Sequence, residues 1–176
     1  MPYVGIWFNA EHNRNVEIVS CTSERTMHLF AVSGGTNIDV TDCKAENCHY
    51  GGYSILGVKG GTMKNCKSLY GGRELAAFLG IVDGYEVVDS EFAYQQRLGT
   101  DPDGEGIDFE RNNRNVVIRN CHMHDNAGCA IIGVLTSFAV STCNGLSPTV
   151  MVFRNSIQGY SNITENILTQ PNQRII

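Results

Sequence analysis

The unit that repeats along this chain is clearest in Gly104-Glu-Gly-Ile-Asp-Phe-Glu-Arg-Asn-Asn-Arg-Asn-Val-Val-Ile-Arg-Asn-Cys-His-Met-His-Asp-Asn-Ala-Gly128. Apolar and polar residues alternate over 107–110, and a second alternation over 116–119 leads into Asn120-Cys121. A period of two predicts β-strands. Two short strands joined by a corner cannot bury a face alone, so this unit needs to stack on copies of itself.

Copies of the second half of this stretch recur along the chain. The pattern Asn-Val-x-Ile-x-Asn-Cys ends at an anchor position that holds Cys or Ser. The anchors are Cys21, Cys43, Cys66, Ser90, Cys121 and Ser156. They follow one another at intervals of 22, 23, 24, 31 and 35 residues, so the period is near 22 to 24 with two long insertions. Such a period is typical of solenoid proteins.

Each repeat has room for about three short strands and three corners. Helical periodicity is almost absent, which disfavours helical and leucine-rich solenoids. We therefore predict an all-β fold, a parallel β-helix solenoid of about seven coils. It should form one domain over residues 1–176.

The repeated Asn-Val-x-Ile-x-Asn-Cys run resembles the right-handed parallel β-helix domains of polysaccharide-active proteins, which have the pectate-lyase-like fold. The resemblance covers roughly residues 5–167. Within that group the chain is most similar to the β-helical xylan-binding modules attached to plant-polysaccharide enzymes of gut and soil bacteria. The resemblance implies a right-handed solenoid, a polysaccharide or oligosaccharide as partner, and a catalytic domain appended in the parent protein. It is specific for fold rather than for function.

Composition limits the classes of partner. The chain has 42 % hydrophobic and 18 % charged residues, which excludes a disordered protein. Its net charge of -5 gives no basic surface for nucleic acid or an anionic membrane, and no apolar run is long enough to span a bilayer. No basic and apolar leader precedes the repeats. We therefore expect a segment of a larger secreted, extracellular protein whose signal peptide lies elsewhere.

The anchor position and the residue before it predict two structural stacks. An anchor that alternates Cys with Ser is a slot for a small residue, so we predict a buried row of free thiols rather than disulfides or a metal cluster. Cys48, Cys129 and Cys143 lie outside this row, and their pairing is left open. Asn, Asp or Ser precedes every anchor, and stacked side chains of this kind can hydrogen-bond from coil to coil.

One acidic group allows three interpretations. Its members are Asp101, Asp103, Glu105, Asp108 and Glu110. They can be turn residues and solvated strand faces. Alternatively, Asp101, Asp103, Glu105 and Asp108 can bind calcium through carboxylate oxygens around a Gly-rich turn. In the third interpretation Asp108 and Glu110 are a glycosidase pair, since on one strand their Cα atoms lie about 6.6 Å apart.

Two histidines form a second candidate group. His122 and His124 project from one face of a strand and can act as a general base, as metal or sugar ligands, or as polar surface residues. The polysaccharide lyases that the fold resembles use a Lys or Arg base together with calcium. Lys44 and Lys67 occupy one repeat position, but no Arg and Asp cluster joins them, which counts against a lyase.

Exposed aromatic residues form the third candidate group. Residues 5–9 have the same form as residues 106–110, so Ile6 and Phe8 should point inward and Trp7 outward. Sugar rings pack on aromatic planes, and Trp7 is therefore the first choice for a ligand contact. Four tyrosines near corners are further candidates: Tyr50, Tyr53, Tyr70 and Tyr94.

The leading hypothesis is a non-catalytic carbohydrate-binding module for a plant cell-wall polysaccharide such as xylan. No cofactor is required, and calcium is the one ion that the acidic group could bind. The runner-up is a glycoside hydrolase or polysaccharide lyase, whole or a fragment, acting at Asp108 and Glu110. A structural, adhesin-like β-solenoid is the third hypothesis.

Overall fold

A computed structural model describes residues 4–9, 12–72, 75–96, 104–135, 138–141, 143, 150–154 and 161–163. These residues form nineteen β-strands and no α-helix. None of them belongs to a helix long and apolar enough to cross a membrane. The strands make three sheets in which every pairing is parallel.

The chain visits the three sheets in turn. The first sheet contains β1 (Ile6–Asn9), β4 (Phe30–Ser33), β7 (Tyr53–Leu56), β10 (Leu75–Gly80), β13 (Glu105–Asn113), β16 (Ile131–Leu135) and β18 (Val150–Arg154). The second contains β2 (Arg14–Val19), β5 (Thr36–Thr41), β8 (Lys59–Lys64), β11 (Asp83–Val88), β14 (Val116–Arg119), β17 (Phe138–Ser141) and β19 (Ser161–Ile163). The third contains β3 (Thr22–Glu24), β6 (Lys44–Glu46), β9 (Lys67–Leu69), β12 (Glu91–Ala93) and β15 (His122–His124).

This order confirms the predicted all-β parallel solenoid. Five coils have a described strand in all three sheets, and two further coils are represented in the first and second sheets. The number of complete turns is thus about five rather than the expected seven.

The core lies inside the solenoid and is built from alternate residues of each strand. In β5, Ile38 and Val40 are fully buried. In β1, Ile6 and Phe8 are partly buried and pack against the core, whereas Trp7 is 70 % exposed. The predicted orientation of this first strand is therefore confirmed.

The residues before the anchors hold the corner between the second and third sheets. Ser20, Asp42, Asn65, Asp89 and Asn120 all adopt a left-handed backbone, with φ between 49° and 55°. Short polar side chains tolerate this conformation best. Asn65 Nδ2 donates to Asp42 Oδ1 at 2.6 Å, and Asn120 Nδ2 donates to Asp89 Oδ1 at 3.1 Å. The predicted hydrogen bonds from coil to coil are confirmed for these two pairs.

The anchor cysteines Cys21, Cys43, Cys66 and Cys121 form the predicted row of thiols, and none of the seven cysteines is in a disulfide. Cys66 is fully buried, and burial raises the pKa of its thiol to about 11. The row also includes Cys143, which the sequence analysis wrongly placed outside it. Strand β17 pairs with β14 in the register Arg119↔Ser141, so Cys143 lies one coil beyond Cys121, and the two thiols are hydrogen-bonded.

The last sequence repeat was also assigned to the wrong sheet. Val150–Arg154 pairs with β16 in the first sheet, so the copy ending at Ser156 is not an anchor strand of the second sheet. The true next anchor strand is Phe138–Ser141, inside the second long insertion, between Cys121 and Ser156. Its sequence, Phe-Ala-Val-Ser, keeps the alternation, but Thr142 stands where Asn, Asp or Ser precedes the other anchors.

Candidate functional site

The outer face of the first sheet carries Trp7 at one end and Asp108 towards the other. Strand registers place them in one outward row through Ala31, Ser54 and Phe78. Four coil steps of about 4.8 Å separate them, a span of about 19 Å. Ala31 and Ser54 are small and partly buried. The side chain of Phe78 is not among those that the structure describes. The described part of this row is therefore a low, even surface beside one exposed indole.

Asp108 and Glu110 lie on this same outer face, as predicted. Asp108 is half-buried and Glu110 is exposed. The strand brings the two carboxylates to one side of the sheet, and their role as a glycosidase pair stays a prediction.

The four-residue calcium site is not formed as predicted. Glu105 shares the inward parity of Ile107 and is 5 % exposed. Because side chains alternate along β13, Glu105 and Asp108 point to opposite faces and cannot bind the same ion. The two remaining members, Asp101 and Asp103, lie outside the described residues. Calcium binding by these two stays a prediction.

The outer face of the third sheet brings together residues that are distant in sequence. One row runs through Lys44, Lys67, Glu91 and His122. Lys67 Nζ lies 2.6 Å from Glu91 Oε2, and Lys44 Nζ lies 2.7 Å from the Oε2 atom of Glu46. The predicted stacking of the two lysines is confirmed, and each one has a carboxylate partner.

His124 occupies the neighbouring row and contacts two carboxylates. Its Nδ1 atom lies 2.8 Å from Asp125 Oδ2, and its Nε2 atom lies 3.3 Å from Glu91 Oε1. The rings of His122 and His124 stack with centroids 4.0 Å apart. One ligand atom from each of Glu91, His122 and His124 lies within 4.8 Å of the others. The pair of histidines was predicted from the sequence, but Glu91 was missed because it lies 31 residues before His122.

The surroundings shift the pKa values of two members of this group in ways that favour the ligand-competent forms. The hydrogen bond from Lys67 is the main factor that lowers the pKa of Glu91, and the hydrogen bond with His124 adds to it. Burial lowers the pKa of His122, and the charge of His124 lowers it further. Glu91 is therefore held as a carboxylate, and the neutral form of His122 is favoured.

Two of the candidate tyrosines stand at the corner beside this group. Tyr70 and Tyr94 are exposed and stack with ring centroids 4.8 Å apart and planes 9° from parallel. Each ring covers one face of the other, which leaves less free ring face than Trp7 offers. Tyr94 also meets the His124 ring edge to face at 5.2 Å.

A buried polar network, which the sequence analysis did not predict, fixes this corner from inside. Gln95 Nε2 donates to the carbonyl oxygens of Ser68 and Ala93 at 3.0 and 2.8 Å. Asn126 Oδ1 accepts from the Gln95 backbone N–H at 3.1 Å. Both amide side chains are almost fully buried. They hold the backbone next to Tyr94 and to the His124–Asp125 pair, so the surface group is built on a rigid support.

Of the two remaining candidate tyrosines, Tyr53 differs from the prediction and Tyr50 stays a candidate. Tyr53 is fully buried, and its hydroxyl lies 2.8 Å from the Cys43 carbonyl oxygen and 3.0 Å from that of Lys67. The assignment of Tyr53 to a ligand-binding surface is therefore wrong, because its residue position has inward parity in β7. Tyr50 is half-buried and packs against the rings of His28 and His49, with centroids 6.0 and 5.0 Å away.

Comparison with known proteins agrees with this architecture. A family model described as a right handed beta helix region matches residues 2–162. Neither a curated protein nor a solved structure gave a match. Because the family model spans nearly the whole chain and the described strands wind as a parallel solenoid, the chain belongs to the right-handed β-helix family.

Proposed function

We propose that this protein binds a neutral plant cell-wall polysaccharide, such as xylan, on the outer face of the first sheet and does not cleave it. The observation that carries the proposal is the position of Trp7, which is 70 % exposed on the outer face of strand β1. An indole left in water on an ordered surface is a typical ligand contact.

The outward row explains how a long, flat ligand would fit. The axial C–H groups of a sugar pack on an aromatic plane, and carboxylates accept hydrogen bonds from its hydroxyl groups. Trp7 supplies the plane, Asp108 and Glu110 supply acceptors, and the small residues Ala31 and Ser54 follow Trp7 in the same row. A net charge of -5 favours neutral polysaccharides over acidic ones, because like charges repel.

The lysines of the third sheet favour binding over cleavage by a lyase mechanism. A lyase base needs a neutral lysine, but the hydrogen bond with Glu46 raises the pKa of Lys44, and Lys67 is paired with Glu91. We therefore assign both lysines to ion pairs on the surface rather than to the base of a lyase.

The experiment compares the retention of variants on insoluble xylan. Trp7→Ala should weaken binding about 30-fold, which corresponds to about 2 kcal/mol. Its melting temperature should stay near that of the unmodified protein, since Trp7 buries little surface. Tyr70→Ala is the matched control, because it removes an exposed aromatic from another face and should bind normally. Binding that is equal for Trp7→Ala and the unmodified protein would refute the role of the first sheet.

A further inference from the structure

We propose that Glu91, His122 and His124 form a binding site for a divalent first-row transition metal, with Zn²⁺ as the expected ion. The site lies on the outer face of the third sheet and bridges β12 and β15. It uses neither Trp7 nor Asp108, so it can be tested independently of polysaccharide binding.

The fold brings the three donors together. Residues two apart on a strand share a face, which places both imidazoles of β15 outward. The register Glu91↔His122 then sets the carboxylate directly beside them in the preceding coil. Their ligand atoms lie within 4.8 Å of one another. Zn–N and Zn–O bonds of about 2.0–2.1 Å require donor separations of about 3.4 Å in a tetrahedron. Rotamer changes of these surface side chains can supply the difference.

The donor types select the metal class. Two imidazole nitrogens and one carboxylate oxygen match the preferences of zinc and its first-row neighbours, whereas calcium prefers oxygen ligands alone. Three protein donors leave a coordination position for water. His122 is exposed, so solvent can reach the position that the protein leaves open.

The hydrogen bonds around His124 orient it as a metal ligand. Asp125 Oδ2 lies 2.8 Å from Nδ1, which favours the tautomer with its proton on Nδ1. Nε2 lies 3.3 Å from Glu91 Oε1, and this contact is a hydrogen bond only while Nε2 also carries a proton; in the neutral tautomer with the proton on Nδ1, both atoms are acceptors. A cation bound between Nε2 and Oε1 would accept a lone pair from each atom and so remove the repulsion between the two acceptors. A carboxylate on the far nitrogen of a histidine is also the usual support of a zinc ligand.

Glu91 is held in an equally suitable way. Lys67 Nζ binds Oε2 at 2.6 Å, which leaves Oε1 directed at His124. The competing explanation of the same contacts is a metal-free network in which a protonated His124 bridges Glu91 and Asp125. The two explanations differ in whether the chain takes up one metal ion.

The test is a chelator-buffered zinc titration of the whole chain, with the bound metal counted by elemental analysis. We expect one saturable equivalent per chain. His122→Ala, His124→Ala and Glu91→Gln should each weaken binding at least about 100-fold, and Asp125→Asn about 10- to 100-fold. His49→Ala is the matched control, because His49 is also exposed and should leave the affinity unchanged.

Cobalt as a spectroscopic probe separates this site from the cysteines. Co²⁺ bound by nitrogen and oxygen gives no thiolate-to-metal charge-transfer band, whereas binding to Cys129 or Cys21 would give one. Circular dichroism checks that each variant keeps its β-structure. If His124→Ala misfolds, the affinities of His122→Ala and Glu91→Gln test the site instead. The proposal is overturned by the absence of saturable binding, by a thiolate band, or by equal affinity in folded variants.

Discussion

Gly61 provides the sharpest test of how closely the coils pack. Its φ is 118°, a conformation that side chains rarely adopt. A Cβ atom built there would overlap the backbone of Ile38 in the preceding coil, including its carbonyl oxygen and, at 2.6 Å, its nitrogen. These atoms belong to β5, which pairs with the Gly61 strand, so they cannot move without opening the sheet.

Both effects add to the expected cost of Gly61→Ala. A strained backbone costs about 1–3 kcal/mol, and overpacking costs about 1–3 kcal/mol. We therefore expect a loss of about 3 kcal/mol in the free energy of unfolding, or about 6–12 °C in melting temperature for a chain of this size.

Gly84→Ala is the matched control for Gly61→Ala. Gly84 also has a left-handed φ of 72°, but no atom lies within 4 Å of its added Cβ. Only the backbone cost remains, about 1 kcal/mol. Thermal and urea denaturation of both variants measure the difference. If Gly61→Ala is no less stable than Gly84→Ala, the close approach of neighbouring coils is wrong.

Three further predictions concern the thiols and the ion pairs. A thiol reagent should label Cys21 and Cys129 of the native protein before the buried cysteines, since these two are partly exposed; equal labelling rates for all seven would contradict the thiol row. Burial raises the pKa of Cys66 from 9.0 to about 11, so its stabilising effect is complete below pH 9.0 and is lost as the pH rises through about 11. In urea denaturation, the free energy of unfolding of Cys66→Ser should therefore fall less than that of the unmodified protein between pH 9.0 and about 11. An unchanged pH profile in the variant would disprove the raised pKa of Cys66. The hydrogen bond from Lys67 lowers the pKa of Glu91 below 4.5, so the ionised Glu91 stabilises the fold above pH 4.5, and this stabilisation is lost as the pH falls through the lowered pKa. Glu91→Gln should remove this loss of stability on the acid side. If the loss persists in the variant, it belongs to other carboxylates.

The repeat made most of the fold predictable from sequence. The Cys and Asn positions recur because each coil places them at the same corner, where only a small or short polar residue fits. The prediction failed at Val150–Arg154 because a first-sheet strand and a second-sheet strand share the same alternation. The prediction also missed Phe138–Ser141, because Thr142 stands before Cys143 where Asn, Asp or Ser precedes the other anchors.

The candidate site was predictable only where one strand carries it. The pair His122 and His124 and the outward Trp7 follow from the period of two within a strand. Glu91 was identified only from the register of β12 with β15. The sequence did not indicate this pairing because Glu91 lies 31 residues before His122. Tyr53 was misassigned because a glycine-rich corner precedes it, although its own parity in β7 points into the core.

One preparation of the protein, applied to xylan and assayed for both retention and product release, distinguishes a binding module from an enzyme. We expect retention by the unmodified protein, loss of retention in Trp7→Ala, and no release of reducing or unsaturated ends. Release of such products by the unmodified protein, abolished in Asp108→Asn and Glu110→Gln while binding persists, would refute the proposed function and identify an enzyme.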